Sequence, residues 1–223
     1  MAYSKEPPVR INMRAALARY RGESPFIRCF TFGRHLLAPL EQIAAHVPVS
    51  GRVLDLGCGH GLFSNLIALG STTRTVLGVD PSEAKIAVAR RSSQGVPNVD
   101  YRSCTVDDVE DGNFDVITIL DVLYLLPDEK KLEVLKACRS RLASNGLLIL
   151  KTNDTRPRWK YAVVRAEEEL MVRVIGFTYG GEVHFRGVPD YLRLLGMAGF
   201  DASVVSLDGW RPMPHRLFVA HPV

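Results

Sequence analysis

Arg52-Val53-Leu54-Asp55-Leu56-Gly57-Cys58-Gly59-His60-Gly61-Leu62-Phe63-Ser64 is the stretch that decides the fold. Its first half is a short apolar run, which is typical of a buried strand. Three glycines at alternate positions follow, and a helical pattern begins at Leu62. Such a loop brings backbone N–H groups to face a polar ligand, and glycine lets the backbone turn tightly and approach that ligand. The stretch therefore predicts a ligand site between a strand and a helix.

Composition limits the classes of protein that need to be considered. The chain has 223 residues, 47% of them hydrophobic, which is enough for one domain with a sizeable core. A net charge of +4 is too small to indicate nucleic acid binding by itself. The four cysteines form no C-x-x-C pair and the six histidines show no metal-binding spacing, so we expect reduced thiols and no metal site. With no apolar signal core or membrane-length apolar run, we expect a cytoplasmic protein.

Strands and helices alternate through the middle of the chain. The predicted strands are 52–56, 75–79, 99–103, 114–120, 146–150, 202–207 and 216–220. The helices predicted after the first strand are 61–69, 82–92, 128–143, 159–177 and 188–198. Apolar strands that alternate with helices indicate an α/β fold whose parallel sheet is covered on both faces, and the short turn between the last two strands allows an antiparallel pair.

Two regions lie outside this alternation. Residues 1–50 are basic and are predicted to be helical from residue 9, and we interpret them as an N-terminal helical cap, a lid, or a surface for anionic lipid. The second region is a helical insertion at about 152–187 within the main domain, residues 51–223. The predicted helix 159–177 has two apolar faces, whereas packing on a sheet needs one. The second face covers the N-terminal helices, a partner subunit or an apolar ligand.

The glycine loop and the residues around it discriminate between ligands. No G-x-x-x-x-G-K-[ST] run is present, and the third glycine of a dinucleotide pattern is replaced by Leu62. Asp55, two residues before Gly57, suits an ammonium group better than a pyrophosphate. Asp80 ends the second strand, where a carboxylate can accept both ribose hydroxyls. A ligand with an amino-acid end and a nucleoside end, such as S-adenosylmethionine, fits this arrangement.

Ordered motifs carry a resemblance to a known family. Val53–Gly61, Gly78–Ser82, Phe114–Pro127, Asn145–Ile149 and Gly199-Phe200 resemble successive motifs of the class I S-adenosylmethionine-dependent methyltransferases. The resemblance covers about residues 50–220. It implies a Rossmann-like, seven-stranded, mostly parallel sheet with an antiparallel last strand, helices on both faces and an N-terminal helical cap.

The resemblance also implies a set of residues around the cofactor. Its methionine part would be surrounded by Asp55, Gly57, Cys58, Gly59 and Gly61, and its ribose would be bound by Asp80. Its adenine would lie near Pro81, Ser82, Thr105 and Val106. The wall beneath its sulfonium would be lined by Asp121 and Val122. The chain departs from the family near Cys104 and Thr105, where an acidic residue is common. Thr105 or Asp107 is the alternative contact to the adenine amino group.

The expected reaction is an in-line displacement, in which alignment supplies most of the acceleration. A base is needed only when the acceptor loses a proton as it attacks. We predict His184 and Tyr124 as catalytic residues, with His35 and Asp121 as further candidates and no metal ligand.

The acceptor is expected to be a small, hydrophobic or lipid-like molecule, because two apolar surfaces, 26–43 and one face of 163–177, flank the core. Nucleic acid is disfavoured, since no basic stripe with interleaved aromatic residues is present. RNA methylation and a non-catalytic, cofactor-binding regulatory subunit are the alternatives. Peripheral membrane contact through the basic N-terminal helices, and a monomer or a homodimer, also stay open.

Overall fold

The computed structural model describes residues 11–110, 113–156, 184–207, 209 and 211–223. The predicted helix 159–177, and most of the predicted insertion, lie outside these residues.

One mixed sheet organises the described residues. Its seven strands are β1 Gly51–Leu56, β2 Arg74–Val79, β3 Val99–Arg102, β4 Phe114–Leu120, β5 Leu142–Asn153, β6 Phe200–Ser206 and β7 His215–Pro222. They lie in the order β3-β2-β1-β4-β5-β7-β6, parallel except for β7, which is antiparallel to both of its neighbours. The prediction of a mostly parallel, seven-stranded sheet with an antiparallel last strand is confirmed. The strand order reverses between β1 and β4, and ligands bind at such a switch point in open α/β sheets.

Helices cover both faces of this sheet. They are α1 Met13–Ala18, α2 Pro25–Leu37, α3 Leu40–Ala44, α4 Leu62–Gly70, α5 Glu83–Ser92, α6 Asp128–Arg141 and α7 Val188–Met197. Side chains of α1, α3 and α4 pack on one face of the sheet, and those of α6 and α7 pack on the other. The continuous burial along β1 and β4 follows from this double cover, as expected for parallel strands.

Local sequence explains where several helices begin. Asn12 accepts a hydrogen bond from the Ala15 backbone N–H at the start of α1. Ser24 caps α2 in the same way, and Pro25 follows at the first helical position, which requires no N–H donor. Ser82 caps α5 and thereby fixes the chain that follows Asp80.

The first helix is anchored to the main domain. Met13 and Ala16 are buried in the same core as the sheet. The Arg19 Nε donates to the Ser92 carbonyl at 2.8 Å, and Glu23 forms an ion pair with Arg91 at 2.8 Å. Helix α1 is therefore part of the packed core, and α2 is the more exposed of the two.

Strand β5 is longer than predicted. The sequence indicated 146–150, whereas the strand runs over Leu142–Asn153. Leu142 pairs with Phe114 across a register shift, and the polar end at Thr152 and Asn153 pairs with the antiparallel strand β7. Pairing with β7 keeps these polar residues extended, and the apolar pattern alone does not reveal that pairing.

Candidate cofactor site

The loop from β1 to α4 has the backbone geometry that its glycines allow. Gly57, Gly59 and Gly61 have φ angles of 74°, 56° and 81°, in the left-handed region that favours glycine. The backbone N–H groups of Gly57 and Cys58 both donate to the Val79 carbonyl, at 2.8 and 3.0 Å. The loop is thus tied to the end of β2.

The three glycines differ in what a side chain would meet. A Cβ at Gly57 would overlap Val122, and one at Gly61 would lie 2.7 Å from the Tyr101 hydroxyl. A Cβ at Gly59 would meet nothing within 4 Å. Gly57 and Gly61 therefore permit close packing inside the protein, whereas Gly59 faces open space in which a ligand can approach the backbone.

Asp80 lies where the sequence places it, at the end of β2. Its side chain is largely buried, and its Oδ2 accepts a hydrogen bond from the Gly59 N–H at 3.1 Å. Its Oδ1 accepts from the Ser82 N–H at 2.9 Å. An ionised carboxylate has about four acceptor positions, so two remain for ligand hydroxyls.

Asp55 lines a cavity beside the loop, but its carboxylate is held by the protein. Ser64 donates to its Oδ2 at 2.5 Å and Thr118 donates to its Oδ1 at 2.8 Å. Burial raises the pKa of Asp55, and the two hydroxyl donors oppose that effect. The side chain therefore links β1, α4 and β4 behind the loop.

The cavity beside the loop has a volume of about 60 Å³. Gly57, Cys58 and His60 form one side of it, and Phe30, Thr31 and Arg34 of α2 form the other. The Phe30 and His60 rings meet edge to face, with centroids 5.1 Å apart. Sequence reasoning missed these α2 residues because it treated their basic segment as a cap or a lipid surface, and no local motif marks them.

Arg34 reaches the end of β4. Its Nη2 lies 2.9 Å from Asp121 Oδ2 and 3.4 Å from the Leu120 carbonyl oxygen. Lys151 Nζ lies 2.5 Å from the other oxygen of Asp121. Burial alone would raise the pKa of Asp121, but Lys151 and Arg34 outweigh it and hold the pKa below its usual value. Asp121 is thus an anion held between two cations, with a left-handed φ of 61°.

The predicted adenine contacts are less well defined. The backbone N–H and the hydroxyl of Thr105 both donate to Asp108, at 2.9 and 2.8 Å. The Thr105 oxygen still has a lone pair that can accept from an amino group. Val106 is buried in the core, and the Pro81 carbonyl accepts from the Ser103 hydroxyl at 3.3 Å.

The two predicted catalytic residues lie next to each other through their backbones. The His184 N–H donates to the Tyr124 carbonyl at 2.7 Å. The buried Tyr124 ring stacks on Phe185, with centroids 4.6 Å apart. Their catalytic roles stay predictions. No group of three or more His, Cys, Asp or Glu side chains in the described ranges is arranged to hold a metal ion.

A further histidine, His215, is more deeply buried than His184 or Tyr124. Neither ring nitrogen of His215 has a hydrogen-bond partner of good geometry in the described part of the chain, although the Leu37 carbonyl lies close enough to affect its pKa. Burial and Lys151 lower the pKa of His215 to about 3. The same lack of a partner holds for Nδ1 of His35.

Comparison with known proteins identifies sequence relatives of this chain. A family model described as "Methyltransferase domain" matches residues 53–146. The ubiquinone biosynthesis O-methyltransferase of Xanthomonas axonopodis pv. citri (strain 306) is 37% identical over an alignment of 190 residues that covers 79% of this chain and 76% of the relative. The enzyme of the same name from Xanthomonas campestris pv. campestris (strain B100) is 38% identical over an alignment of 140 residues that covers 60% of this chain and only 57% of that relative.

Solved structures share the fold at lower identity. An O-methyltransferase from neocarzinostatin biosynthesis, in complex with S-adenosylmethionine and a naphthoic acid, has a TM-score of 0.67 at 15% identity, covering 89% of this chain and 57% of its own. Magnesium protoporphyrin IX methyltransferase from Synechocystis PCC 6803, with bound S-adenosylhomocysteine, has a TM-score of 0.65 at 20% identity, covering 94% of both chains. The sequence relatives and the sheet order together show that the chain belongs to the class I S-adenosylmethionine-dependent methyltransferase family.

Proposed function

We propose that this protein transfers a methyl group from S-adenosylmethionine to an oxygen of a small, apolar acceptor by in-line displacement. Two neighbouring features support this proposal: Asp80 is hydrogen-bonded to the glycine loop, and a small cavity lies beside the same loop. Asp80 Oδ2 is 3.1 Å from the Gly59 N–H, and the cavity begins at Gly57 and Cys58. One ligand with a nucleoside end and an amino-acid end can occupy both places.

The residues present fit such a cofactor. Gly59 leaves open space where a Cβ would otherwise stand, and the Asp80 carboxylate has acceptor positions left for ribose hydroxyls. At the amino-acid end, the Leu120 carbonyl can accept from an ammonium group and Arg34 can donate to a carboxylate. The cavity of about 60 Å³ holds a few water-sized groups, which matches an amino-acid end.

Bound S-adenosylmethionine supplies an electrophilic methyl group on a positively charged sulfur. The protein's own part is to hold the two ends of the ligand and to align the acceptor, an effect that reaches roughly 7–11 kcal/mol in well-oriented systems. Val122 packs beside Gly57 and forms the proposed wall, and the preceding residue, Asp121, is held by its ion pairs with Lys151 and Arg34.

An apolar cluster beside this wall supports an apolar acceptor. Tyr124, Phe185 and Met213 are buried together, with Leu37 and Leu125 packed against them. The relatives named for ubiquinone biosynthesis are O-methyltransferases, which supports oxygen as the acceptor atom and a quinone-type compound as the acceptor. A hydroxyl acceptor must lose a proton, and Tyr124 and His184 are the proposed groups for that step.

Calorimetry with S-adenosylhomocysteine tests the first part of the proposal, and transfer of a labelled methyl group to phenols and catechols with and without alkyl chains tests the second. We expect saturable binding, and faster transfer to the alkylated acceptors. Absence of binding would reject the cofactor assignment. Transfer to RNA that falls steeply with rising salt would favour an RNA methyltransferase. Binding without transfer to any acceptor would favour a regulatory subunit.

Peripheral membrane contact is a second part of the proposal, supported by the surface of α2. Phe26 and Phe32 are about half exposed, and Phe32 lines a groove of about 520 Å³ together with Arg21 and Arg28. Apolar side chains next to cations suit an anionic lipid surface. None of the described helices is long and apolar enough to cross a membrane.

Co-sedimentation with vesicles tests the membrane contact. We expect binding to vesicles that contain phosphatidylglycerol and little binding to pure phosphatidylcholine, and the double variant Phe26→Ser/Phe32→Ser should lose it. Equal sedimentation of the variant would reject the contact. Sedimentation velocity on the same samples distinguishes a monomer from a homodimer.

A further inference from the structure

A buried hydrogen-bond network supports the glycine loop through side chains that do not line the cavity. Tyr20 is almost completely buried, and its hydroxyl donates to the His60 carbonyl at 2.7 Å. Tyr101 approaches from β3, and its hydroxyl lies 3.2 Å from the Gly61 carbonyl oxygen. Two tyrosine hydroxyls from distant parts of the chain therefore hold two successive carbonyls of the loop.

Asn65 of α4 joins the two tyrosines. Its Nδ2 donates to the Tyr20 hydroxyl at 3.2 Å and to the Ser92 hydroxyl at 2.9 Å. Its Oδ1 lies 3.2 Å from the Tyr101 hydroxyl, whose single hydrogen is shared between this oxygen and the Gly61 carbonyl. Asn65 is itself wholly buried, so each of these bonds satisfies a group that water does not reach.

The network determines the orientation of peptide planes in the loop. In a trans peptide the C=O and the N–H point in opposite directions. The Gly61 carbonyl is turned inward by Tyr101 and by the Asn65 N–H, which donates to it at 2.9 Å. The N–H of Leu62 on the same peptide therefore points outward, and Leu62 lines the cavity.

We propose that Tyr20 is a positioning residue for the cofactor loop, and that it couples helix α1 to the affinity for the cofactor. The inference rests on the proposed function, because the affinity concerned is that for S-adenosylmethionine and its product. Loss of the Tyr20 hydroxyl leaves the His60 carbonyl without this donor and the Asn65 amide without one acceptor. The peptide planes of the loop then sample other orientations, and cofactor binding must restore the orientation that is competent for binding.

The test compares Tyr20→Phe with a matched control, Tyr191→Phe. Tyr191 is also fully buried, its hydroxyl lies 3.4 Å from Thr152 Oγ1, and its ring packs on Phe218 at 5.6 Å, away from the loop. Calorimetry with S-adenosylhomocysteine should show affinity about tenfold weaker for Tyr20→Phe and unchanged for Tyr191→Phe. Tyr101→Phe removes the other tyrosine hydroxyl of the network and should weaken binding in the same direction.

Amide hydrogen exchange without ligand gives a second readout that does not depend on the proposed function. Tyr20→Phe should speed exchange at residues 59–63 more than in the core strands, whereas a purely structural role would speed exchange throughout. Wild-type affinity in Tyr20→Phe, or an affinity loss equal to that of Tyr191→Phe, would overturn the inference. Failure of the wild-type protein to bind S-adenosylhomocysteine would instead overturn the proposed function, and exchange in the loop would still decide the role of Tyr20.

Discussion

Arg34 Nη2 lies 2.9 Å from Asp121 Oδ2 and joins helix α2 to the end of β4 across the proposed cofactor cavity. Lys151 holds the other carboxylate oxygen, so Asp121 is shared between a cation of the sheet and a cation of the N-terminal helices. The Leu120 carbonyl also accepts from Arg34. A zwitterionic ligand can replace these contacts. Its ammonium group can donate to the Leu120 carbonyl and Asp121, and its carboxylate can accept from the Arg34 guanidinium.

Removal of the guanidinium should weaken cofactor binding. We expect Arg34→Ala to lower affinity for S-adenosylhomocysteine by roughly 10- to 100-fold, the range for a lost hydrogen bond to a charged group. Arg28→Ala, on the same helix with an exposed side chain, is the control and should bind as wild type. Tighter binding by Arg34→Ala in calorimetry would mean that Arg34 only blocks the cavity.

Lys151 should be essential to stability. Its side chain is 2% exposed and 2.5 Å from Asp121, so Lys151→Met leaves a buried carboxylate with one cationic partner fewer. Loss of one member of a buried pair costs about 3–5 kcal/mol, and urea unfolding should show a loss of that order. The double variant Lys151→Met/Asp121→Asn should recover part of the loss. Equal stability of Lys151→Met and wild type would contradict the assigned role of the pair.

The parts of the fold that were predicted correctly depend on local patterns. Apolar runs and glycines marked β1, β2, β4 and the loop, and Asp80 follows β2 directly, so its place needed no tertiary information. Arg34 meets the Leu120 carbonyl 86 residues away, and Tyr20 meets His60 40 residues away. No periodicity encodes such contacts. They arise only when the N-terminal helices pack over the switch point of the sheet.

Asp80 should control affinity for the nucleoside end. Asp80→Ala removes the acceptor of the Gly59 and Ser82 N–H bonds together with the positions proposed for ribose hydroxyls. We expect binding of S-adenosylhomocysteine to weaken by at least tenfold, since more than one hydrogen bond is lost. Asp100→Ala on the neighbouring strand β3 is the control, because its side chain is mostly exposed. Unchanged affinity for Asp80→Ala would reject the ribose role.

Gly59 and Gly61 should respond differently to the same substitution. A Cβ at Gly61 would meet Tyr101 and Ala89 within 3 Å, so Gly61→Ala should lower the melting temperature. A Cβ at Gly59 meets no protein atom within 4 Å, so Gly59→Ala adds only the cost of a left-handed residue, roughly 1–2 kcal/mol. Its main effect should be lost cofactor affinity. Full affinity in Gly59→Ala would mean that the ligand does not approach this backbone.

Acidification should destabilise the protein partly through His215. Burial lowers its pKa to about 3 in the folded state, against about 6.5 in an unfolded chain. Between these values the unfolded state binds one more proton, so the stability from the neutral ring is complete above pH 6.5 and is lost as pH falls toward 3. His60, whose pKa is lowered to about 4 by burial, acts in the same direction over a narrower range.

The contribution of His215 can be isolated by comparing His215→Met with wild type in urea at pH 7.5 and pH 5.0. Each pH unit below 6.5 costs about 1.4 kcal/mol for one such group, so wild type should lose about 2 kcal/mol more than the variant between the two conditions. His60→Gln should reduce the loss in the same way. If wild type and His215→Met lose stability in parallel, the buried ring is already protonated or is exposed to water, and the neutral state assigned to it is wrong.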